Sequence, residues 1–287
     1  MKPSIWQNTS IQTRSRIQPW TLHQTSWEWH ARPAGLATVA QSFDPISLEQ
    51  TEAVELLNRT DTKFVMTGAQ LMNALNAVKP HYWMLSISGQ RLNHYRTLYF
   101  DSPDFLMYLM HVNGRANRYK VRSREYTDSH LSFLEVKHKT NKDRTIKERI
   151  PTAEPLVQMT VEAEDWLNGV FPYDSRVLEP KIWNTFTRMT LVSKQLCERV
   201  TLDVDLTFYN NNRVVHLDGI AIAEVKMDKG HCISPFLTQM RAQRIHPRGF
   251  SKYCIGVAML YDQVKRNALK AKLLWLDKMT QGVAVYE

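Results

Sequence analysis

The sequence is short of the features that would declare its chemistry at once. Its three cysteines, Cys197, Cys232 and Cys254, stand 35 and 22 positions apart. No pair has zinc-finger or redox spacing, and a small odd number suits a reducing compartment better than a disulfide framework. None of the ten glycines forms G-x-x-x-x-G-K-S/T or G-x-G-x-x-G, so any phosphate recognition must rest on side chains instead of a backbone loop. The ten histidines include no H-E-x-x-H pair, and no G-x-S-x-G marks a serine nucleophile. No apolar run approaches the roughly 20 residues needed to span a bilayer. The opening MKPSIWQNTSIQTRSRIQPW lacks the uninterrupted apolar centre of a secretion signal. A cytoplasmic protein is the expectation.

What the chain has is positive charge. Lys and Arg number 37 against 28 Asp and Glu, a net charge of +9, and an apolar fraction of 43% is ample for a core. Such a balance favours an anionic partner: nucleic acid, a phosphorylated metabolite or a membrane surface. Residues 1–43, with Trp6, Trp20, Trp27 and Trp29 among Gln, Thr and Ser, read as an irregular arm. Residues 44–287 show no Gly/Pro/Ser linker and read as one domain. Helices are expected over SLEQTEAVELLNR, TGAQLMNALNAVKP, SPDFLMYLMHVNG (Ser102 as N-cap) and EPLVQMTVEAEDWLNGVF, with one long helix after Ser251. Many strands with few intervening helices argue α+β with an antiparallel sheet, not a doubly wound parallel one.

The strands carry charge on one face. In NRYKVRSREY, Arg118, Lys120, Arg122 and Arg124 alternate with Tyr119 and Val121. In FLEVKHK, Glu135, Lys137 and Lys139 oppose Leu134, Val136 and His138; in RTIKERI, Lys147 and Arg149 oppose Ile146 and Ile150. Arg199, Thr201, Asp203 and Asp205 share a face opposite Val200, Leu202, Val204, Leu206 and Phe208, and Glu224 lies beside Lys226. One such face on one strand is ordinary solvated surface. Cations repeated on several strands repel one another unless an anion neutralises them. A mixed Arg/Lys lining with one or two carboxylates suits linked phosphates plus a divalent metal. A nucleic-acid partner is disfavoured, because the rows lack an RNP-like aromatic stripe. Tyr95, Tyr99 and Phe100 read as core.

The segments NRTDTKFVM, YRTLYFDSPDF, YKVRSREY, FLEVKHKTNKDRTIKERI, TFTRMTLVSK, RVTLDVDLTF, AEVKMD and GFSKYCIG occur in the order seen in VTC domains. Over roughly residues 44–262 the chain resembles these catalytic modules of polyphosphate polymerases, within the triphosphate tunnel metalloenzyme (CYTH-like) superfamily. The resemblance implies a closed antiparallel β-tunnel with a basic interior and helices packed outside. It implies catalytic roles for Lys63, Arg122, Arg124, Lys137, Arg188 and Lys252, phosphate binding by Lys147, Arg199 and Ser251, and metal binding by Glu224. Asp203 and Asp205 would orient arginines, and Glu135 would be a ligand or a partner of Lys137. Two positions depart from the pattern. The superfamily's E-x-E-x-K reads here R-T-D-T-K, and Phe186 stands where a Tyr would add a hydroxyl donor. The implied activity is transfer of the γ-phosphoryl group of ATP to a growing inorganic polyphosphate chain, with Mn²⁺ or Mg²⁺. Export of the product would need a separate membrane partner. A tunnel triphosphatase and a non-catalytic polyphosphate-binding module are the alternatives.

Overall fold

A computed structural model of the chain describes residues 33–52, 59–142, 144–228, 233–280 and 285–286. It opens with α1 (Leu36–Gln41), β1 (Asp44–Ile46) and α2 (Leu48–Glu52). Leu36, Ala40 and Phe43 are buried in the main core, so the domain boundary expected at 43 is corrected to a point before Leu36. The tryptophans of the expected arm lie outside the described residues. There follow β2 (Arg59–Thr67), α3 (Gly68–Val78), β3 (Tyr82–Leu85), β4 (Asn93–Asp101), α4 (Leu106–Val112), β5 (Arg118–Tyr126), β6 (Leu131–Lys139) and β7 (Thr145–Thr152). After α5 (Val161–Val170) the strands resume with β8 (Glu179–Ser193), β9 (Glu198–Tyr209), β10 (Val214–Leu217) and β11 (Ile220–Asp228). Helices α6 (Pro235–Ala242), α7 (Lys252–Leu260) and α8 (Lys270–Thr280) precede a two-residue β12 (Val285–Tyr286).

Local chemistry sets these boundaries. The Thr67 hydroxyl accepts from the Gln70 N–H while the Gln70 side chain accepts from the Thr67 N–H, a capping box that starts α3 directly after β2. The helix expected from Glu154 starts only at Val161, because Thr160 caps it there through the Ala163 N–H. α4 likewise starts three residues later than Ser102 as N-cap implied. Ser102 accepts from the Leu106 N–H, and the buried Asp101 carboxylate takes the Met107 and Tyr108 N–H groups at 2.9 Å each. The single long helix expected after Ser251 is two helices, α7 and α8.

The described strands form one sheet, antiparallel throughout except for the β1–β3 pair. Its order is β12-β10-β9-β8-β4-β5-β6-β7, while the first half of β9 pairs with β11, and β11 with β2. Lys63 on β2 and Lys137 on β6 nevertheless line one cavity, so the sheet is curled. Among the described residues no ladder joins β2 to β7, and the full closure expected of a tunnel is not seen.

Alternation sorts the two faces. Phe64, Met66, Ala221, Ala223, Val200 and Leu202 pack outward against α1, α3 and α6. Leu98, Phe100, Val121, Leu134 and Val136 pack outward against α5. The inner face is divided between charge and apolar surface. Val65, Tyr95, Tyr99, Ile182, Phe186, Leu206, Phe208 and Ile222 pack there against Tyr253, Ile255 and Val257 of α7. The expectation that helices pack only outside is corrected by α7, whose middle is apolar on all sides and is therefore buried all round. Its seating depends on Gly256: a Cβ there would lie 2.6 Å from Ile182 Cδ1 and 2.7 Å from Phe208 Cδ1. Gly256→Ala is expected to lower stability by about 1–3 kcal/mol through overpacking, read as a lower denaturant midpoint at unchanged slope.

One irregularity matters for the site. The β8–β9 register shifts between Thr185 and Thr187, and Asp205 adopts φ +54°. This β-bulge puts one extra residue into β9. Before it, Leu202 and Val204 face the outer core; after it, Leu206 and Phe208 face α7. The expected single alternation from Arg199 to Phe208 is thus corrected at residue 205.

Candidate phosphate-binding site

The inner faces of β5, β6 and β7 carry the first group. Arg122 and Glu135 are register partners, and Arg122 reaches Glu135 Oε2 with Nε at 2.7 Å and Nη2 at 2.6 Å. Lys147, from the edge strand β7, reaches Glu135 Oε1 at 2.5 Å. Burial alone would raise the Glu135 carboxyl, but Arg122, Arg124 and Lys147 outweigh it and hold it well below the usual carboxylate range. Glu135 is therefore a partner of Arg122 and Lys147, and the expected pairing with Lys137 is corrected.

The second group sits where β8 meets β9. Arg188 and Asp203 are register partners joined as a fork, Nε–Oδ1 2.6 Å and Nη2–Oδ2 2.8 Å, and Lys252 from the first turn of α7 reaches the same Oδ2. Burial pushes the Asp203 carboxyl up, yet Arg188 and Lys252 together bring it down to about 2. Beneath these cations lies an aromatic plate. Tyr95 and Phe186 stack with centroids 5.0 Å apart and planes within 11°. The Arg188 guanidinium is 5.1 and 5.2 Å from the two rings, that of Arg124 is 5.6 and 5.9 Å away, and Lys252 Nζ is 4.4 Å from Phe186. Such contacts hold desolvated cations in place at about 0.5–2 kcal/mol each. Phe186, read in the sequence as a missing hydroxyl, is thus a support for three cations.

The third group lines a cavity of about 540 Å³ between β2, β5, β6, β11 and α7. Lys63 Nζ lies 2.7 Å from Glu224 Oε1, and Lys226 Nζ 3.8 Å from Oε2. Lys63 and Lys226, with Lys137, overcome burial and keep Glu224 well below its ordinary range. For Lys137 burial wins: together with Lys63, Lys120 and Arg122 it outweighs the attraction of Glu224 and brings the ammonium down to about 7. The Ser251 hydroxyl caps α7 through the Cys254 N–H and accepts a 2.9 Å bond from Lys120.

The structure therefore brings together Lys63, Arg122, Arg124, Lys137, Lys147, Arg188, Lys252, Ser251 and Glu224 on one inner surface. Arg199 lies on the face of β9 that carries Asp203, opposite Lys226 in register, and like Arg122 and Arg188 it is outside the cavity lining. Sequence reasoning passed over Lys120, although it lies in the same alternating row as Arg122. Tyr99, read as core, is buried in the core on the inner face, where burial raises its phenol and Arg122, Arg124, Lys120 and Lys252 more than reverse the effect. Nothing but the sheet's curl would have revealed that orientation.

A metal could be held only in part by this chain. Among the described residues no group of three or more His, Cys, Asp or Glu converges. Glu224, beside several cations on a wall that also carries Asp61, fits a divalent ion that arrives with phosphates, since Mg²⁺ commonly takes one or two carboxylates plus substrate oxygens.

The fold is an α+β one, an antiparallel sheet with a buried, cation-rich inner face and no glycine-rich phosphate loop. Residues 58–261 match the VTC domain, and the chain belongs to that family. No curated protein sequence matches it. Among solved structures it is similar to a candidate adenylate cyclase from Bacillus halodurans, with 12% identity over 71% of this chain and 98% of that one at a TM-score of 0.46. It is also similar to a candidate adenylyl cyclase from Hippeastrum with a dominant triphosphatase activity, with 12% identity over 71% and 97% and a TM-score of 0.43. At TM-scores under 0.5 these likenesses carry no weight in the assignment. No helix among the described residues is long and apolar enough to cross a membrane.

Proposed function

We propose that the domain transfers the γ-phosphoryl group of ATP to the end of an inorganic polyphosphate chain and releases ADP. One observation carries this reading: eight inward cations (Lys63, Lys120, Arg122, Arg124, Lys137, Lys147, Arg188 and Lys252) outnumber four carboxylates, Asp61, Glu135, Asp203 and Glu224, and the last three are each engaged by cations. The surplus positive charge matches a run of phosphates. Arg122, Arg124, Arg188 and Lys252 would hold consecutive phosphates in line, and phosphoryl transfer through a loose transition state needs little beyond such positioning and charge neutralisation. A divalent cation, with Glu224 as its protein ligand, would offset charge on the departing ADP.

The same electrostatics favour transfer over hydrolysis. A water nucleophile needs a base, and Glu135, Asp203 and Glu224 are held below their ordinary range, which makes them weak bases. His111, the imidazole on the cavity wall, is pushed down to about 3 by burial and neighbouring cations and is a weak base as well. The terminal phosphate of an acceptor chain is anionic already and needs no base. Purified protein incubated with ATP and Mn²⁺ is expected to yield ADP and acid-labile polyphosphate visible on a gel. Free orthophosphate without chain would instead establish a triphosphatase, and chain binding without ATP consumption a non-catalytic module.

A further inference from the structure

Beyond the residues that would hold the reacting phosphates, the same cavity wall carries a second cationic set. His111 ends α4, Arg118 opens β5, Lys139 ends β6 and Lys272 lies in α8; all four line the cavity. Arg118 donates to the Arg115 carbonyl at 2.8 Å and Lys272 to the Gly249 carbonyl, not to a carboxylate. The acidic groups of the lining, Asp61 and Glu224, belong to β2 and β11, and Glu224 is engaged by Lys63. His111 is the odd member. Burial first, then Lys120, Arg118, Lys272 and Lys139, keep its ring neutral. Its Nδ1 is buried with no hydrogen-bond partner among the described residues, a state that costs free energy until a ligand relieves it.

We infer that His111, Arg118, Lys139 and Lys272 form an outer phosphate subsite that holds the part of a polyphosphate chain remote from its reacting end. This rests on the polymerase reading above. The four groups come from four separate elements and offer charge and a ring nitrogen, chemistry that grips repeated phosphates. A bound phosphate reverses the positive potential around the imidazole. Lys120, which couples to His111 on one side and to Lys63 and Arg122 on the other, joins the outer set to the inner one. The consequence is affinity that grows with chain length, because the second group of contacts is made intramolecularly once the first is engaged.

The test compares tripolyphosphate with polyphosphate of about 15 units, a length chosen to span both sets, by calorimetry. The wild-type protein is expected to bind the longer chain more tightly. Arg118→Gln/Lys272→Met is expected to lose roughly 10²-fold in affinity for the longer chain, about tenfold for each charged contact. Its salt slope for that chain should fall by about 1.4, some 0.7 for each lost phosphate contact, while tripolyphosphate and ATP affinities change less than about twofold. His111→Phe, similar in volume, should lose affinity for the longer chain alone and serves if the double variant folds poorly. Equal losses for both chains, an unchanged long-chain affinity or a matching loss for ATP would each overturn the outer subsite. If the wild type binds the two chains equally, the subsite falls and the polymerase reading stands. If it binds neither, both fall.

Discussion

Arg188→Ala is expected to slow chain extension by about 10²- to 10³-fold, the cost of removing one preorganised donor at a site of developing charge. The protein should stay folded. Asp203 keeps Lys252 as a partner after the substitution, so no buried carboxylate is left alone. Arg188→Lys should recover little, since an ammonium cannot reproduce the two-pronged contact that fixes the guanidinium over Tyr95 and Phe186. The reverse truncation is predicted to behave differently. Asp203→Ala strands two cations in a buried pocket and should cost about 3–5 kcal/mol of stability as well as activity. Initial rates with ATP, set beside denaturant midpoints, separate the two cases. Near wild-type rates for Arg188→Ala would remove Arg188 from the reacting centre.

Phosphate binding is expected to weaken as pH rises above about 7, because Lys137 sheds its proton there in the ligand-free protein. A bound phosphate restores the ammonium, so binding above this pH takes up a proton, and affinity falls by up to about tenfold per pH unit. Lys137→Arg, which stays charged, should flatten the profile; the difference between the two proteins cancels titration of the ligand itself. Calorimetry in two buffers of unlike ionisation heat measures the proton uptake directly. The same shift has a stability signature. An unfolded lysine keeps its proton up to about 10.4, so between about 7 and that value the unfolded chain binds more protons at this position. The Lys137 contribution to ligand-free stability therefore rises across the window. A profile that is flat from pH 7 to 9 in the wild type would show that Lys137 is not a phosphate ligand.

Much of this site was legible because β-strands have a strict period of two. Alternation put Arg122 and Arg124 on one face of β5, and Lys137 and Glu224 on the charged faces of their own strands; the order of the motifs, through the family resemblance, joined them in one site. What alternation cannot supply is curvature. Tyr95 and Tyr99 read as core and are buried, but on the inner face, where they sit under or beside the cations. Glu135 sits within reach of either flanking cation row in the sequence; only the β5–β6–β7 register shows Arg122 and Lys147 converging on it. α7 reads as an ordinary apolar helix, and no periodicity says which side of a sheet an all-round apolar helix will occupy. His111 ends an apolar helical stretch and gives no local sign of the cations that the fold gathers around it.

The extra residue at Asp205 lets one strand serve two interiors. Upstream, β9 sends Asp203 toward Arg188; downstream, it sends Leu206 and Phe208 toward the same side to receive α7. Drawing residue 205 into regular pairing would swing that downstream pair to the opposite side and leave α7 without its seat. The seat of α7 thus depends on register as well as on side chains: a slip that let residue 205 pair would undo it without altering any residue of the contact.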